Sequence, residues 1–207
     1  MQDKILFIDT ETGGLNPLQH PLLSIGLVVW EDFELTSSKE ILIFEEGLTP
    51  DNRALDINKI DINDHRKKAL SPKEAINEIK TFLRKNFELD NKVTLAGHNI
   101  NFDVNFLRFF LDRNNDDFGR YFSHRFIDTS SILYFLYLSG KLKEKAVSSD
   151  RAFDLFGINF NQENRHTALA DAIATAQLFN NLLKTVAKKI NLQAKETGQI
   201  DLFTNLL

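Results

Sequence analysis

The feature that most constrains the fold is the order of the strand-forming and helix-forming segments. Three short apolar runs, joined by polar links, open the chain and are typical of strands in an antiparallel part of a sheet: 4–9 (KILFID), 22–30 (LLSIGLVVW) and 40–44 (EILIF). Beyond residue 70, helical and strand patterns alternate, with strands predicted over 92–96 and 125–127. This order predicts an α/β fold with a mixed β-sheet flanked by α-helices.

Capping signals and apolar periodicity define the helices. Ser71, Pro72 and Glu74 form a typical helix start, and apolar residues at helical spacing follow it. Further helices are predicted over 102–112, 128–138 and 151–156. The clearest helix runs from Thr167 to about Ile190, where apolar residues form a continuous stripe. The polar segment 49–70 is interpreted as loops with a short helix.

Length and composition favour a globular protein in a reducing compartment. The 207 residues suit one domain, placed at 1–190, followed by a flexible tail at 191–207. The lack of cysteine excludes disulfides, thiolate zinc sites and cysteine nucleophiles. A net charge of -4 gives no overall basic footprint for nucleic acid, so such a partner must be held locally. No signal peptide and no apolar run of membrane-spanning length is found, so we expect a cytoplasmic protein.

Two carboxylates, Asp9 and Glu11, close the first predicted strand within the segment FIDTET. Side chains two residues apart on a strand point to the same face, so these charges project together and repel each other. A hard divalent cation such as Mg²⁺ or Mn²⁺ between them would relieve that repulsion. The alternative is a solvated strand end whose acids happen to be neighbours.

Two further segments carry candidate functional residues. In GHNINFDVNFL, residues 97–107, Asp103 lies in the first turn of a predicted helix, where an acid also favours the helix N-terminus electrostatically. In HTALADA, residues 166–172, His166 and Asp171 share no helical face. If Thr167 is the N-cap, His166 precedes the helix and Asp171 lies one turn in, so both can converge on one site. Otherwise His166 is a partly exposed residue before the cap, and Asp171 a charge beside the apolar stripe.

The segments FIDTET, GHNINFDVNFL and HTALADA resemble, in order and character, the three motifs of the DnaQ-like 3′–5′ exonucleases. The resemblance is to the histidine branch (DEDDh), and the chain is similar to the epsilon proofreading subunit of bacterial DNA polymerase III. It implies a ribonuclease H-like fold, four carboxylate ligands for two divalent cations, Mg²⁺ or Mn²⁺, and a histidine general base. The matching residues are the ligands Asp9, Glu11, Asp103 and Asp171 and the base His166.

The same resemblance implies contacts with the substrate. Thr10, Thr12 and Leu15 match the segment along the terminal nucleotide, with Leu15 as the apolar wedge near the last base, and His98 and Asn99 match positions close to the substrate. The first motif reads DTETGG where DTETTG is more usual, so Gly13 lacks a hydroxyl. The chemistry is consistent with the motifs, because two cations can clamp a phosphodiester while His166 takes the proton of the attacking water.

The last residues form a candidate docking peptide. Gln199, Leu202 and Phe203 resemble the pentapeptide by which bacterial replication and repair proteins bind the sliding clamp. The alternative is that the terminal apolar residues fold back onto the domain. Basic stretches at 65–68 and 141–145 can guide a strand, although such runs are usually solvated surface.

Three functional hypotheses follow. The main one is a metal-dependent exonuclease that hydrolyses single-stranded DNA from its 3′ end to nucleoside monophosphates, in proofreading or repair. The second is the same chemistry on RNA or short oligoribonucleotides, because contacts to a 2′-hydroxyl cannot be read from motifs. The third is a non-catalytic adaptor for a polymerase or clamp.

Overall fold

A computed structural model of the chain describes residues 4–88, 90–158 and 167–197. Its strands are β1 (Lys4–Thr12), β2 (Leu22–Glu31), β3 (Glu34–Leu42), β4 (Val93–Gly97) and β5 (Phe122–Asp128). Its helices are α1 (Asn52–Asn58), α2 (Ile62–Lys68), α3 (Pro72–Asn86), α4 (Asn101–Arg113), α5 (Phe118–Tyr121), α6 (Thr129–Leu138), α7 (Ser149–Leu155) and α8 (Ala168–Thr197). Among the described residues, no helix is both long and apolar enough to cross a membrane.

The five strands form one mixed sheet in the order β3-β2-β1-β4-β5, which confirms the predicted α/β fold. The β1–β2 and β2–β3 pairs are antiparallel, and the β1–β4 and β4–β5 pairs are parallel. The chain therefore opens as a meander and continues with crossovers, as its pattern of strands and helices predicts.

Each face of the sheet is covered by a different set of helices. Leu6 and Ile8 of β1 pack into a cluster with α3 and α4, whereas Ile5 and Phe7 pack against α8. A third cluster joins α6 and α7 to α8. Since side chains of a strand alternate between its faces, the central strand β1 contacts both helical layers.

Several boundaries differ from the sequence-based ones. The third strand begins at Glu34 rather than residue 40, because its polar first half pairs with β2 at the edge of the sheet. The segment 49–70 contains two helices, and α8 extends to Thr197 rather than ending near residue 190. The start of α3 matches its prediction, with the Ser71 backbone N–H donating to Glu74 Oε2 at 3.0 Å.

Candidate active site

Two of the candidate carboxylates lie where β1 leaves the parallel part of the sheet. Pairing of β1 with β4 ends at Phe7, whereas pairing with β2 continues through Asp9 and Glu11. Both carboxylates follow Ile5 and Phe7 on the odd-numbered face of β1, which packs against α8. Among the described residues, β1 therefore has no strand partner on its β4 side at the positions of Asp9 and Glu11.

Asp171 reaches this group from the first turn of α8. Thr167 caps the helix, because its Oγ1 accepts from the backbone N–H of Ala170 at 3.2 Å. This confirms the cap on which the predicted position of Asp171 depends. Ala168 and Ala172 are fully buried, and the small side chains let α8 approach the sheet closely.

The absence of a side chain at Gly26 allows α8 to approach the sheet this closely. Gly26 lies opposite Asp9 in the β1–β2 ladder. A Cβ atom placed on Gly26 would lie 2.2 Å from the carbonyl oxygen of Ala168 and 2.6 Å from the Cα of Leu169. The start of α8 is therefore seated directly on β2, beside the strand position that carries Asp9.

The carboxylates of Asp9, Glu11 and Asp171 converge: one oxygen from each lies within 4.8 Å of the others. Asp103 is outside this three-carboxylate group. It comes from α4, on the opposite face, where Thr10 of β1 donates a hydrogen bond from Oγ1 to Asp103 Oδ1 at 2.7 Å. Adjacent residues of β1 thus contribute to the same site from both faces of the sheet.

The electrostatics of these groups are those of crowded negative charge. Burial raises the pKa of Asp9 well above its usual value, and the charges of Asp103, Asp171 and Glu11 raise it further. Burial, with Asp171 next, raises the pKa of Glu11 to about 8. Burial also raises the pKa of Asp103 to about 7, although the hydrogen bond from Thr10 opposes the shift. The charge of Asp103 is therefore felt at Asp9 even though its oxygens lie outside the three-carboxylate group.

A cavity of about 370 Å³ adjoins Glu11. The predicted substrate residues Thr10, Thr12 and Leu15 all line it, and the Leu15 side chain is 85% exposed. The cavity is completed by residues that the sequence analysis did not identify: Arg53, Ala54, Ile57 and Asn58 of α1, Asp51 before it, and Phe102 of α4. The only sequence signal for α1 is the cap of Asp51, whose side chain accepts from the Arg53 backbone N–H at 3.0 Å.

His98 and Asn99 directly follow β4, and hydrogen bonds link both residues to the start of α6. The two ring nitrogens of His98 lie 3.0 Å from Thr129 Oγ1 and 2.8 Å from the Val147 carbonyl oxygen. Asn99 has a left-handed backbone with φ of 57°, and its N–H donates to Asp128 Oδ1 at 2.8 Å. These contacts organise the loop beside the carboxylates, and a substrate contact by either side chain stays a prediction.

Four predicted residues lie outside the described part of the chain: His166, Gln199, Leu202 and Phe203. A larger cavity, of about 650 Å³, lies at the opposite end of β1, where Lys4, Lys85 and Lys92 line it. It contains none of the candidate residues, so size alone does not identify the site.

A five-stranded mixed sheet with carboxylates converging at the end of its central strand defines a nuclease-type centre on a ribonuclease H-like scaffold. Residues 6–179 match the Exonuclease family of the ribonuclease T type. The chain belongs to this exonuclease family, and it is an enzyme of the 3′–5′ exonuclease class.

Individual relatives agree with this assignment. The chain is 31% identical to ribonuclease T of Wigglesworthia glossinidia brevipalpis over 180 residues, which cover 83% of this chain and 80% of that protein. It is 29% identical to ribonuclease T of Escherichia coli strain K12 over 181 residues, with the same coverage.

Solved structures show the same fold. Escherichia coli exonuclease I in complex with a dT13 oligonucleotide superposes with a TM-score of 0.78 at 17% identity, covering 92% of this chain and 43% of that one. A complex of exonuclease I named ExoI/SSB-Ct gives a TM-score of 0.74 at 17% identity, covering 91% and 42%. The chain thus spans less than half of exonuclease I.

Proposed function

We propose that this protein is a divalent-metal-dependent exonuclease that shortens single-stranded nucleic acid from its 3′ end and releases nucleoside monophosphates. The observation that carries the proposal is the convergence of Asp9, Glu11 and Asp171 within 4.8 Å, with Asp103 held beside them by Thr10. Membership of the exonuclease family supports it.

The carboxylates fit a site for cations. Burial first, and then neighbouring negative charge, raises the pKa values of Asp9, Glu11 and Asp103. A bound cation would offset both effects. Carboxylate oxygens are the ligands that Mg²⁺ and Mn²⁺ prefer. Asp9, Glu11, Asp103 and Asp171 would hold two such ions, which supply the charge that activates water and stabilises the leaving oxygen.

The remaining roles fall to the chain's own side chains. Thr10 orients Asp103, while the cavity lined by Thr12 and Leu15 receives the terminal nucleotide. His166 accepts the proton of the attacking water, because the ordinary pKa of imidazole lies near working pH. The water oxygen bonds to phosphorus, the bond from phosphorus to the 3′-oxygen of the preceding nucleotide breaks, and that oxygen gains a proton from solvent.

Single-stranded DNA is the first candidate substrate, supported by the clamp-like peptide Gln199, Leu202 and Phe203. RNA is the second, favoured by the name of the relatives that match over most of their length, ribonuclease T. The adaptor hypothesis is not favoured, since all five residues of the catalytic constellation are present in the sequence.

The biological context belongs to the same proposal. A similarity to the epsilon proofreading subunit, together with the terminal peptide, supports a role in proofreading or repair beside a polymerase and a sliding clamp. Deleting residues 199–207 should weaken binding to a clamp and leave the intrinsic cleavage rate unchanged. Unchanged clamp binding would remove this part of the proposal and leave the nuclease activity standing.

The central test uses strands of identical sequence, one of DNA and one of RNA, labelled at the 5′ end and incubated with Mg²⁺ or Mn²⁺. We expect a stepwise ladder of shortened products, which Asp9→Ala abolishes and which Asp112→Asn, at an exposed position of α4, leaves intact. Comparing initial rates on the two strands identifies the substrate. Absence of shortening on both strands with both metals would refute the proposal.

A further inference from the structure

Helix α6 carries an apolar outer surface that the core does not use. Leu133 and Leu136 are buried against α7 and α8. In the part of the chain that the structure describes, ten large apolar side chains are exposed, and four of them lie on this ten-residue helix: Tyr134, Phe135, Tyr137 and Leu138. The concentration is unusual, because single exposed apolar residues are normal whereas contiguous ones mark binding sites.

The arrangement of the rings matches a stacking surface. Tyr134 and Tyr137, one turn apart, lie with their ring planes at 12° and their centroids 6.4 Å apart. Phe135, the residue after Tyr134 on the same helix, is 68% exposed. The Lys145 ammonium lies over the face of the Tyr134 ring, 4.7 Å from its centroid, a cation–π contact that places positive charge against the ring.

The charge around the rings is positive. Lys143 and Lys145 are exposed in the segment that follows α6. Glu144 is the one acidic residue between positions 129 and 147, and its Oε2 accepts from Arg151 Nη2 at 2.6 Å. In a chain with a net charge of -4, this surface therefore combines aromatic rings with two exposed lysines.

The surface begins at the edge of the candidate active site. Asp128, which caps α6, accepts from the backbone N–H of Asn99, and the Thr129 hydroxyl donates to the Gly97 carbonyl oxygen at 3.1 Å. Tyr134 and Tyr137 follow Asp128 by six and nine residues, about 9 and 14 Å along the helix axis. A strand whose 3′ end lies among the carboxylates reaches these rings within a few nucleotides.

We propose that this surface, defined by Tyr134, Phe135, Tyr137, Lys143 and Lys145 and called here the α6 platform, binds the single strand upstream of the cleaved end. The rings stack on bases, and the lysines neutralise phosphates. The inference rests on the proposed function, because it needs the 3′ end to occupy the carboxylate site. A protein partner is the less favoured occupant, since rings bordered by cations complement bases and phosphates together.

The test separates binding of the body of the strand from chemistry at its end. Tyr134→Ser/Phe135→Ser is compared with the unaltered full chain on a dinucleotide and on a strand of about 16 nucleotides. We expect KM for the long strand to rise at least about five-fold, with kcat and the dinucleotide KM unchanged. Tyr134→Trp, which keeps a ring, should retain wild-type KM.

The lysines are tested by salt dependence. Lys143→Gln and Lys145→Gln should each reduce the slope of log affinity against log salt by about 0.7 for the long strand. Lys73→Gln on α3, which packs on the other face of the sheet, and Phe33→Ser at the β2–β3 hairpin are the matched controls and should leave long-strand KM unchanged.

Three outcomes are decisive. A folded Tyr134→Ser/Phe135→Ser variant with wild-type KM for the long strand would overturn the α6 platform. The α6 platform would also be overturned if sedimentation showed that the wild type is a dimer and the variant a monomer, because the rings would then join two copies of the chain. If the wild type cleaves neither substrate, the proposed function has failed, and fluorescence anisotropy of the labelled long strand still compares binding by the two proteins.

Discussion

Gly26→Ala tests whether α8 must touch the sheet for the site to form. The new Cβ would lie 2.2 Å from the Ala168 carbonyl oxygen, where real contacts essentially never fall below 3.0 Å. All three nearest atoms belong to the backbone of α8, so no side-chain rotation can relieve the clash. The start of the helix must therefore move by at least about 0.8 Å.

The displacement falls on the candidate active site. Asp171 lies one turn beyond Ala168 on α8, and Asp9 lies opposite Gly26 on β1, so the substitution separates two members of the three-carboxylate group. Misplacement of reacting groups by about 1 Å costs on the order of 100-fold in rate. We expect kcat to fall by about that factor. Overpacking should also lower the free energy of unfolding by about 1–3 kcal/mol, or the melting temperature by roughly 2–10 °C.

The assay is single-strand cleavage at a temperature well below both melting transitions, with folding checked by circular dichroism. Gly119→Ala is the control, because its nearest neighbours are side-chain atoms of Asp117, the closest at 3.3 Å. KM should change little, since the cavity proposed to receive the terminal nucleotide is lined by residues of α1 rather than α8. Wild-type kcat together with wild-type melting in Gly26→Ala would refute the reasoning.

Three further predictions concern charge. Burial raises the pKa of Asp103 from 3.8 to about 7, so the folded protein loses stability as pH rises through that interval. Without divalent metal, Asp103→Asn should therefore raise the free energy of unfolding by about 1–3 kcal/mol at pH 8 and by almost nothing at pH 4. Asp112→Asn is the control, and equal melting curves for Asp103→Asn and the wild type at pH 8 would contradict the prediction. Arg113→Met removes the cationic partner of the buried Glu45 carboxylate, 3.5 Å from Arg113 Nη1, and leaves it, among the described residues, only the Leu22 backbone N–H. It should cost about 2–3 kcal/mol in denaturant titrations, which Glu45→Gln in the same chain partly restores. His166→Gln should lower kcat by about 100-fold or more and leave strand binding unchanged, and a wild-type rate would exclude it as the base.

The carboxylate site was predictable where local rules decide the geometry. Strand alternation places Asp9 and Glu11 on one face, and the cap at Thr167 places Asp171 in the first helical turn. Both rules need only neighbouring residues. The order of strands and helices likewise predicted the mixed sheet.

The parts that the sequence did not reveal depend on contacts between distant segments. Residues 34–39 form the first half of β3 only because β2 offers them a partner, since their own pattern is polar. The cavity wall formed by α1 has no periodic signal, because seven residues are too few to show one. No sequence motif marks Gly26, because its importance comes from contact with the backbone of Ala168 and Leu169, some 140 residues later in the chain.

The alternation of β1 explains how one strand collects carboxylates from two layers. Asp9 and Glu11 face α8 and meet Asp171, while Thr10 between them faces α4 and holds Asp103 by a hydrogen bond of 2.7 Å. On a helix, three consecutive residues would point in three different directions around the axis. A strand covered by helices on one face only could collect carboxylates from that one helical layer. The same geometry forces buried negative charges together, which opposes folding and favours binding of cations. Because β1 lies at the centre of the sheet, the alternation of its side chains brings these carboxylates together from both layers. The same alternation creates the concentrated negative charge that favours a cation there.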